Sequence, residues 1–208
     1  MSRFVGRQNV RKRLTPLEGQ PGRTSYADGA VRIETTSEVI TVRPPFGLAH
    51  EGEDEVIRLE PLFDALADHV VAALLVRLGG YAVGVFEGER LVASKVGSRF
   101  VKGRHKKGGS SSGRFGRRRE EQARELIEEA AEVAAGVLEP WRDRIEFAAL
   151  GGDRAAVDRV LAASPELGWL AGRTLPRFFS VPDPRQAVLE RLPYDLYSAE
   201  LSVEQDPR

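Results

Sequence analysis

The sequence predicts an α/β fold built on a mixed sheet, in which an antiparallel meander is followed by alternating helices and strands. Three observations predict it. Runs of β character at residues 71–78, 81–87 and 90–96 are separated only by Gly79-Gly80 and Gly88-Glu89, the short connections that tight hairpins require. Apolar residues then recur at helical spacing over 117–138, where Ala123, Leu126, Ile127, Ala130, Ala134, Val137 and Leu138 form one stripe. A strand at 145–150 turns at Gly151-Gly152 into a helix capped by Asp153 and carrying Val157, Val160 and Leu161. An antiparallel set followed by such units places helices on the faces of a mixed sheet.

The other elements follow in chain order. Residues 1–22 are polar and basic, with Arg3, Arg7, Arg11, Lys12 and Arg13 ahead of Pro16, Gly19, Pro21 and Gly22, and read as a loosely held basic tail. Residues 23–55 form an N-terminal β extension, its strands at 31–35 and 39–42 making a hairpin or edge pair stopped by Pro44-Pro45. A helix begins at Glu60-Pro61 with Leu62, Phe63, Leu66 and Val70 on one face and ends near His69. Glu120 and Arg124, four apart on the long helix, are placed to pair. Ser164-Pro165 opens a short helix, a strand is expected at 177–181, and Asp183-Pro184-Arg185-Gln186 opens a helix carrying Val188, Leu189 and Leu192. A last strand lies near 196–201. Residues 56–203 are thus expected to form the main α/β domain of a single-domain chain.

Composition narrows the function. Hydrophobic residues make up 41% of the 208 and charged residues 30%, the balance of a chain that folds without a partner. There is no cysteine, hence no disulfide framework, thiolate metal site or thiol nucleophile, and a reducing, cytoplasmic location is expected. His50, His69 and His105 are too isolated to build a zinc site, and no Gly-x-Ser-x-Gly elbow is present; no metal and no cofactor are expected. No apolar run approaches bilayer length, so a membrane partner is not expected. Gly151-Gly152-Asp153 lacks the Lys-Ser/Thr of a phosphate loop and reads as a structural turn with a helix cap.

A net charge of zero conceals a strong asymmetry. Residues 98–119 hold nine of the 31 basic residues and none of the 31 acidic ones, leaving 22 against 31 elsewhere, a net of −9. The nine are Arg99, Lys102, Arg104, Lys106, Lys107, Arg114, Arg117, Arg118 and Arg119, interleaved with five glycines and four serines. Such a segment cannot bury enough apolar surface to fix its tip and is expected to be a mobile loop. Long connections inside a domain tend to be functional. Here arginine and lysine neutralise phosphate, glycine allows close backbone approach, and Phe100 or Phe115 can stack on bases or anchor the base of the loop. The expected ligand is RNA, docked at the cationic arm of an otherwise acidic body.

These residues resemble a known family. A strand ending in Val96-Gly97-Ser98-Arg99-Phe100-Val101, a Gly108-Gly109 tip, Arg114-Phe115-Gly116-Arg117-Arg118-Arg119, Gln122 on a long helix, and the stretch 145–152 resemble the Vms-like release-factor family of actinobacterial type. Its members are peptidyl-tRNA hydrolases related to the central domain of eukaryotic and archaeal class I release factors. The resemblance spans about residues 70–201 and implies a ribonuclease H-like fold of translation-machinery type. It also implies a loop that enters the ribosomal peptidyl transferase centre, with the large ribosomal subunit, rRNA and peptidyl-tRNA as partners of a monomer. The family's glutamine after the glycine pair falls at Ser111 or Ser112, and both are serine. Gly108, Gly109, Ser111 and Ser112 are therefore the implied catalytic tip, and Gln122 joins the nine cations as an RNA-contacting residue. Ester hydrolysis needs a positioned water and donors at the developing oxyanion. A serine, with its shorter reach, is expected to turn over more slowly than glutamine. Three functions follow: a peptidyl-tRNA hydrolase acting on stalled large subunits, a weakly active or inactive ribosome- and rRNA-binding factor, or a general RNA-binding module.

Overall fold

The computed structural model describes residues 2–98 and 112–205, and for 112–119 the backbone only. The chain divides into two compact units, 1–68 with 192–208 and 69–191.

The first unit is a six-stranded antiparallel sheet. In chain order it contains β1 (Arg3–Gly6), α1 (Arg7–Leu14), a 3-10 turn at Thr15–Leu17, β2 (Pro21–Ala27), β3 (Ala30–Glu34), β4 (Glu38–Arg43), β5 (Gly52–Val56) and α2 (Glu60–Asp64), and it is completed by β10 (Ser198–Gln205). The strand order is β1-β10-β4-β3-β2-β5. Alternation along β3 and β4 explains the layer: Val31, Ile33, Ile40 and Val42 are buried while Arg32 and Arg43 are exposed. Val10 and Leu14 of α1, four apart and both fully buried, pack with Leu59, Leu62, Leu66 and Leu201 in this unit's core. The outer strand β5 carries Glu53, Asp54 and Glu55, charges that discourage edge-to-edge pairing.

The second unit holds β6 (Val70–Arg77), β7 (Gly80–Glu87), β8 (Arg90–Ser98), α3 (Ser112–Leu138), β9 (Phe147–Gly152) and α4 (Arg154–Ala163), followed by a 3-10 segment at Pro165–Arg173. Its strand order is β8-β7-β6-β9. β6, β7 and β8 are the antiparallel meander, and β9 runs parallel to β6 in the register Ala72↔Ala148. Val71 to Val76 are all buried, which is why β6 reads as an unbroken apolar run rather than an alternating one. Leu126, Ala130, Ala134 and Leu138 of α3 and Val157 and Val160 of α4 close over Leu74, Val76, Val83 and Val85. Asp153 caps α4 by accepting from the Ala156 N–H at 3.3 Å. α5 (Gln186–Leu196) leads back to β10.

Several expectations are corrected. The chain is two units rather than one domain, and the boundary at 68/69 assigns α2 to the first. Residues 3–17 are not a loose tail but a strand, a helix and a 3-10 turn. Their arginines serve the fold: Arg7 pairs with Asp68 and lies over the Tyr197 ring, Arg11 donates to the Phe63 carbonyl at 2.6 Å, and Arg13 pairs with Glu38 at 3.1 Å. Of the hairpin or edge pair expected over 31–35 and 39–42, the structure has the hairpin, β3–β4, with β2 and β10 flanking it. The last strand belongs to the first unit's sheet, where it pairs with β4 as Leu201↔Val42. α2 ends at Asp64, and Val70 starts β6. Arg124 pairs with Glu128 at 3.6 Å rather than with Glu120. In place of a strand at 177–181 there are two isolated parallel bridges, Ala148↔Thr174 and Gly151↔Phe179.

Candidate functional site

The cationic segment leaves the second unit at Ser98, the end of β8, and its chain re-enters regular structure at Ser112, the start of α3. Helix therefore begins five residues earlier than the expected Arg117. Ser112, Arg114, Arg117, Arg118 and Arg119 occupy helical backbone positions, so the long loop expected over 98–119 is shorter at its C-terminal end. Arg99, Lys102, Arg104, Lys106, Lys107, Gly108, Gly109 and Ser111 lie outside the described residues, as do Phe100 and His105. Gln122 is half-buried on α3, one residue before buried Ala123 and two after exposed Glu120.

One side chain touches both the end of β8 and the middle of α3. In the β7–β8 register Tyr81 faces Gly97 and Gly80 faces Ser98. The Tyr81 ring lies across Gly97 so closely that a Cβ on Gly97 would sit 2.5 Å from both Tyr81 Cε1 and its hydroxyl oxygen. A ring filling the space above a strand glycine is a recognised device for pinning register. The same hydroxyl donates to Glu129 Oε1 of α3 at 2.9 Å. Tyr81 is 2% exposed, so one rigid ring joins the strand from which the segment departs to the helix into which it runs. Gly80 fits for a related reason: its Cβ would stand 2.8 Å from the Gly97 carbonyl oxygen. The signal for this clamp was present in the sequence as a glycine inside a β run, but its partner Tyr81 is sixteen positions away on another strand.

The remaining polar clusters of this unit serve the scaffold. Glu146 accepts from the Val70 N–H at 2.9 Å and lies 2.8 Å from His69 Nδ1, stapling the start of β6 to the segment entering β9. Partial burial pushes the Glu146 carboxyl up, but the His69 and Val70 hydrogen bonds outweigh it and hold the group below the usual carboxylate range. The Arg144 hydrogen bond pulls Glu87 down in the same direction, against a smaller desolvation effect, with help from Arg90. Gly151-Gly152-Asp153 is a structural turn. Gly152 has φ +101° against the Val76 backbone, and a Cβ on Gly151 would meet the Phe179 carbonyl oxygen at 2.6 Å. Among the described residues no group of three His, Asp or Glu is placed to hold a metal ion, and no helix is long and apolar enough to cross a membrane.

Comparison with known proteins agrees with the resemblance carried by this segment. A curated relative, peptide chain release factor subunit 1 of Archaeoglobus fulgidus, is 31% identical over 117 residues, which is 56% of this chain and 29% of the relative. The chain therefore matches less than a third of that protein's length. Among solved structures, the archaeal translation termination factor aRF1 aligns over 92% of this chain and 55% of its own, at 18% identity and a TM-score of 0.45. The Pelota protein of Thermoplasma acidophilum aligns over 90% of this chain and 61% of its own, at 7% identity and a TM-score of 0.28. The profile of the Actinobacteria/chloroflexi VLRF1 release factor family matches residues 69–202, within one residue at each end of the 70–201 span on which the sequence resemblance rests. By that match, which covers more than half of its length, the chain belongs to the actinobacterial and chloroflexi VLRF1 release-factor family.

Proposed function

We propose that this protein acts in translation termination or ribosome rescue, as a peptidyl-tRNA hydrolase that releases nascent chains from stalled large ribosomal subunits. One observation carries the reading: the family match includes a glycine pair, Gly108-Gly109, set in a segment with nine cations and no acid on an otherwise acidic chain. The cations neutralise rRNA and tRNA phosphates. The glycines let backbone approach the ester that joins peptide to tRNA, where a backbone N–H can donate to the developing oxyanion and Ser111 or Ser112 can orient water. Tyr81 ties β8, from which the segment departs, to the body of α3, into which it runs.

The test is release of labelled peptide from ribosomal complexes carrying peptidyl-tRNA. Release above background at saturating protein is expected, and none at any saturating concentration would remove the enzymatic assignment. The serines at 111 and 112 favour a second reading, a catalytically weak or inactive factor that occupies the same ribosomal site. Installing Ser111→Gln and, separately, Ser112→Gln separates the two. A gain in release from either variant identifies an impaired native tip, and an already efficient rate unchanged by both excludes it.

A further inference from the structure

The second unit's sheet has an open edge on the side from which the cationic segment departs. β8 ends the strand order β8-β7-β6-β9, and among the described residues no strand pairs with its outer edge. The half of β8 nearest the segment is the exposed half: Ser94, Lys95, Val96 and Ser98 are exposed, whereas Leu91, Val92 and Ala93 are half-buried. The charge pattern of the segment also begins on this strand rather than at Ser98. Arg90 and Lys95 precede its nine cations, and no Asp or Glu occurs between Glu89 and Glu120.

The two strand cations differ in what surrounds them. Arg90 is paired with Glu87 at the end of β8 remote from the segment. Among the described residues no carboxylate pairs with Lys95. The carboxylate brought to Gly97, two residues along on the same face as Lys95, is Glu129, and it accepts from the Tyr81 hydroxyl. Three strand steps separate Lys95 from Ser98, on the order of 10 Å, whereas Arg90 lies on the order of 26 Å away. Charges in physiological salt are screened over about 8 to 10 Å. Lys95 therefore stands about one such length from the origin of the segment, and Arg90 well beyond it. A lysine on an edge strand also discourages pairing with another chain, a task that a charge of either sign performs. Only a phosphate contact requires a positive one.

We infer that the exposed half of β8 is a fixed RNA-contacting edge, with Lys95 as its phosphate contact, which continues the cationic segment onto the folded body. It rests on the RNA docking of the proposed function and not on hydrolysis. The partner is the phosphate backbone, since a lone lysine acts as a point charge and has no fork or ring with which to read a base. Gly97 under the Tyr81 ring holds this end of β8 to α3. Lys95 thus brings a phosphate to a defined place on the body and gives the docked segment an orientation.

The experiment uses the full chain with purified bacterial large ribosomal subunits and with protein-free large-subunit rRNA, and measures affinity against salt. Lys95→Gln is expected to flatten the slope of log affinity on log salt by roughly 0.7 to 0.9 on both probes, the value of one phosphate contact, and Lys95→Arg to leave it unchanged. Lys95→Glu keeps a charge on the edge and is expected to weaken rRNA binding at low salt several-fold more than Lys95→Gln does. Ala162, exposed on α4, supplies the control: Ala162→Glu changes the net charge as much as Lys95→Gln and is expected to leave the slope unchanged. Tryptophan-monitored urea unfolding checks that each variant is folded, and if Lys95→Glu is not, Lys95→Gln against Lys95→Arg decides. An unchanged slope in Lys95→Gln overturns the inference, and so does an equal effect from Ala162→Glu. Loss of subunit binding with rRNA binding intact also overturns it, because the edge would then meet a ribosomal protein. The docking reading is tested separately, by replacing Arg114, Arg117, Arg118 and Arg119 with alanine. If that flattens the slope and Lys95→Gln does not, the segment binds RNA and the edge does not.

Discussion

Replacing Gly97 with alanine should unfold the second unit more easily, and the cost should depend on Tyr81. The new Cβ would stand 2.5 Å from Tyr81 Cε1 and its hydroxyl oxygen, well inside contact distance, and the ring is 2% exposed. Overpacking of this kind costs about 1 to 3 kcal/mol. If the ring moves to relieve it, the hydrogen bond to Glu129 at 2.9 Å is lost, worth about 1.5 to 3 kcal/mol for a charged acceptor. Against this, leaving glycine recovers about 0.5 to 1 kcal/mol of backbone entropy. The net expected for Gly97→Ala is a destabilisation of about 2 to 4 kcal/mol. Both tryptophans, Trp141 and Trp169, lie in 69–191, so urea unfolding followed by tryptophan fluorescence reports this unit alone. In a Tyr81→Leu background the ring is gone, and Gly97→Ala should cost less than about 1 kcal/mol, a coupling of the size found between residues in contact. An equal cost in both backgrounds would refute the clamp.

Four further outcomes are expected. Replacing Arg114, Arg117, Arg118 and Arg119 together with alanine should flatten the salt dependence of ribosome binding by about three units while the tryptophan-monitored urea midpoint stays near that of the wild type; an unchanged slope would show that the cationic segment is not the docking element. Gly109→Val should abolish peptide release yet leave the salt slope intact, because it blocks close backbone approach without removing charge; release assays and salt titrations on the same preparation check both halves. Gly152→Ala places a side chain at φ +101° against the Val76 backbone, and a fall in stability of at least about 2 kcal/mol is expected in urea. The depressed Glu146 carboxyl contributes stability that is complete above the unfolded carboxylate value of about 4.3 and is lost as pH falls through its lower folded value. Glu146→Gln should therefore cost less than about 1 kcal/mol at neutral pH, given its partial exposure, and almost nothing in strong acid; equal differences at both pH values would contradict this.

What could be read from the chain was local. Hairpin glycines, the apolar run of β6, the stripe on α3 and the Asp153 cap each depend on residues within a few positions of one another, and each reappears in the structure. The charge asymmetry of 98–119 and the motifs around it were equally legible, and they led to the family that the 69–202 match establishes. The N-terminal arginines show where local reading fails. Composition alone cannot tell a free basic tail from a helix whose cations are consumed by Asp68, Glu38 and a backbone carbonyl, because those partners lie 25 to 61 residues away in sequence.

The sequence by itself determined most of the second unit's elements and the charge of its cationic segment, since periodicity, turn residues and charge are properties of neighbouring positions. Only the tertiary structure decided that β10 returns to pair with β4 and so closes the first unit, and that Tyr81 clamps Gly97 to Glu129. Each of these depends on which distant residues the folded backbone brings within a few ångströms, and strand pairing across more than a hundred residues leaves no periodic trace in the chain that makes it.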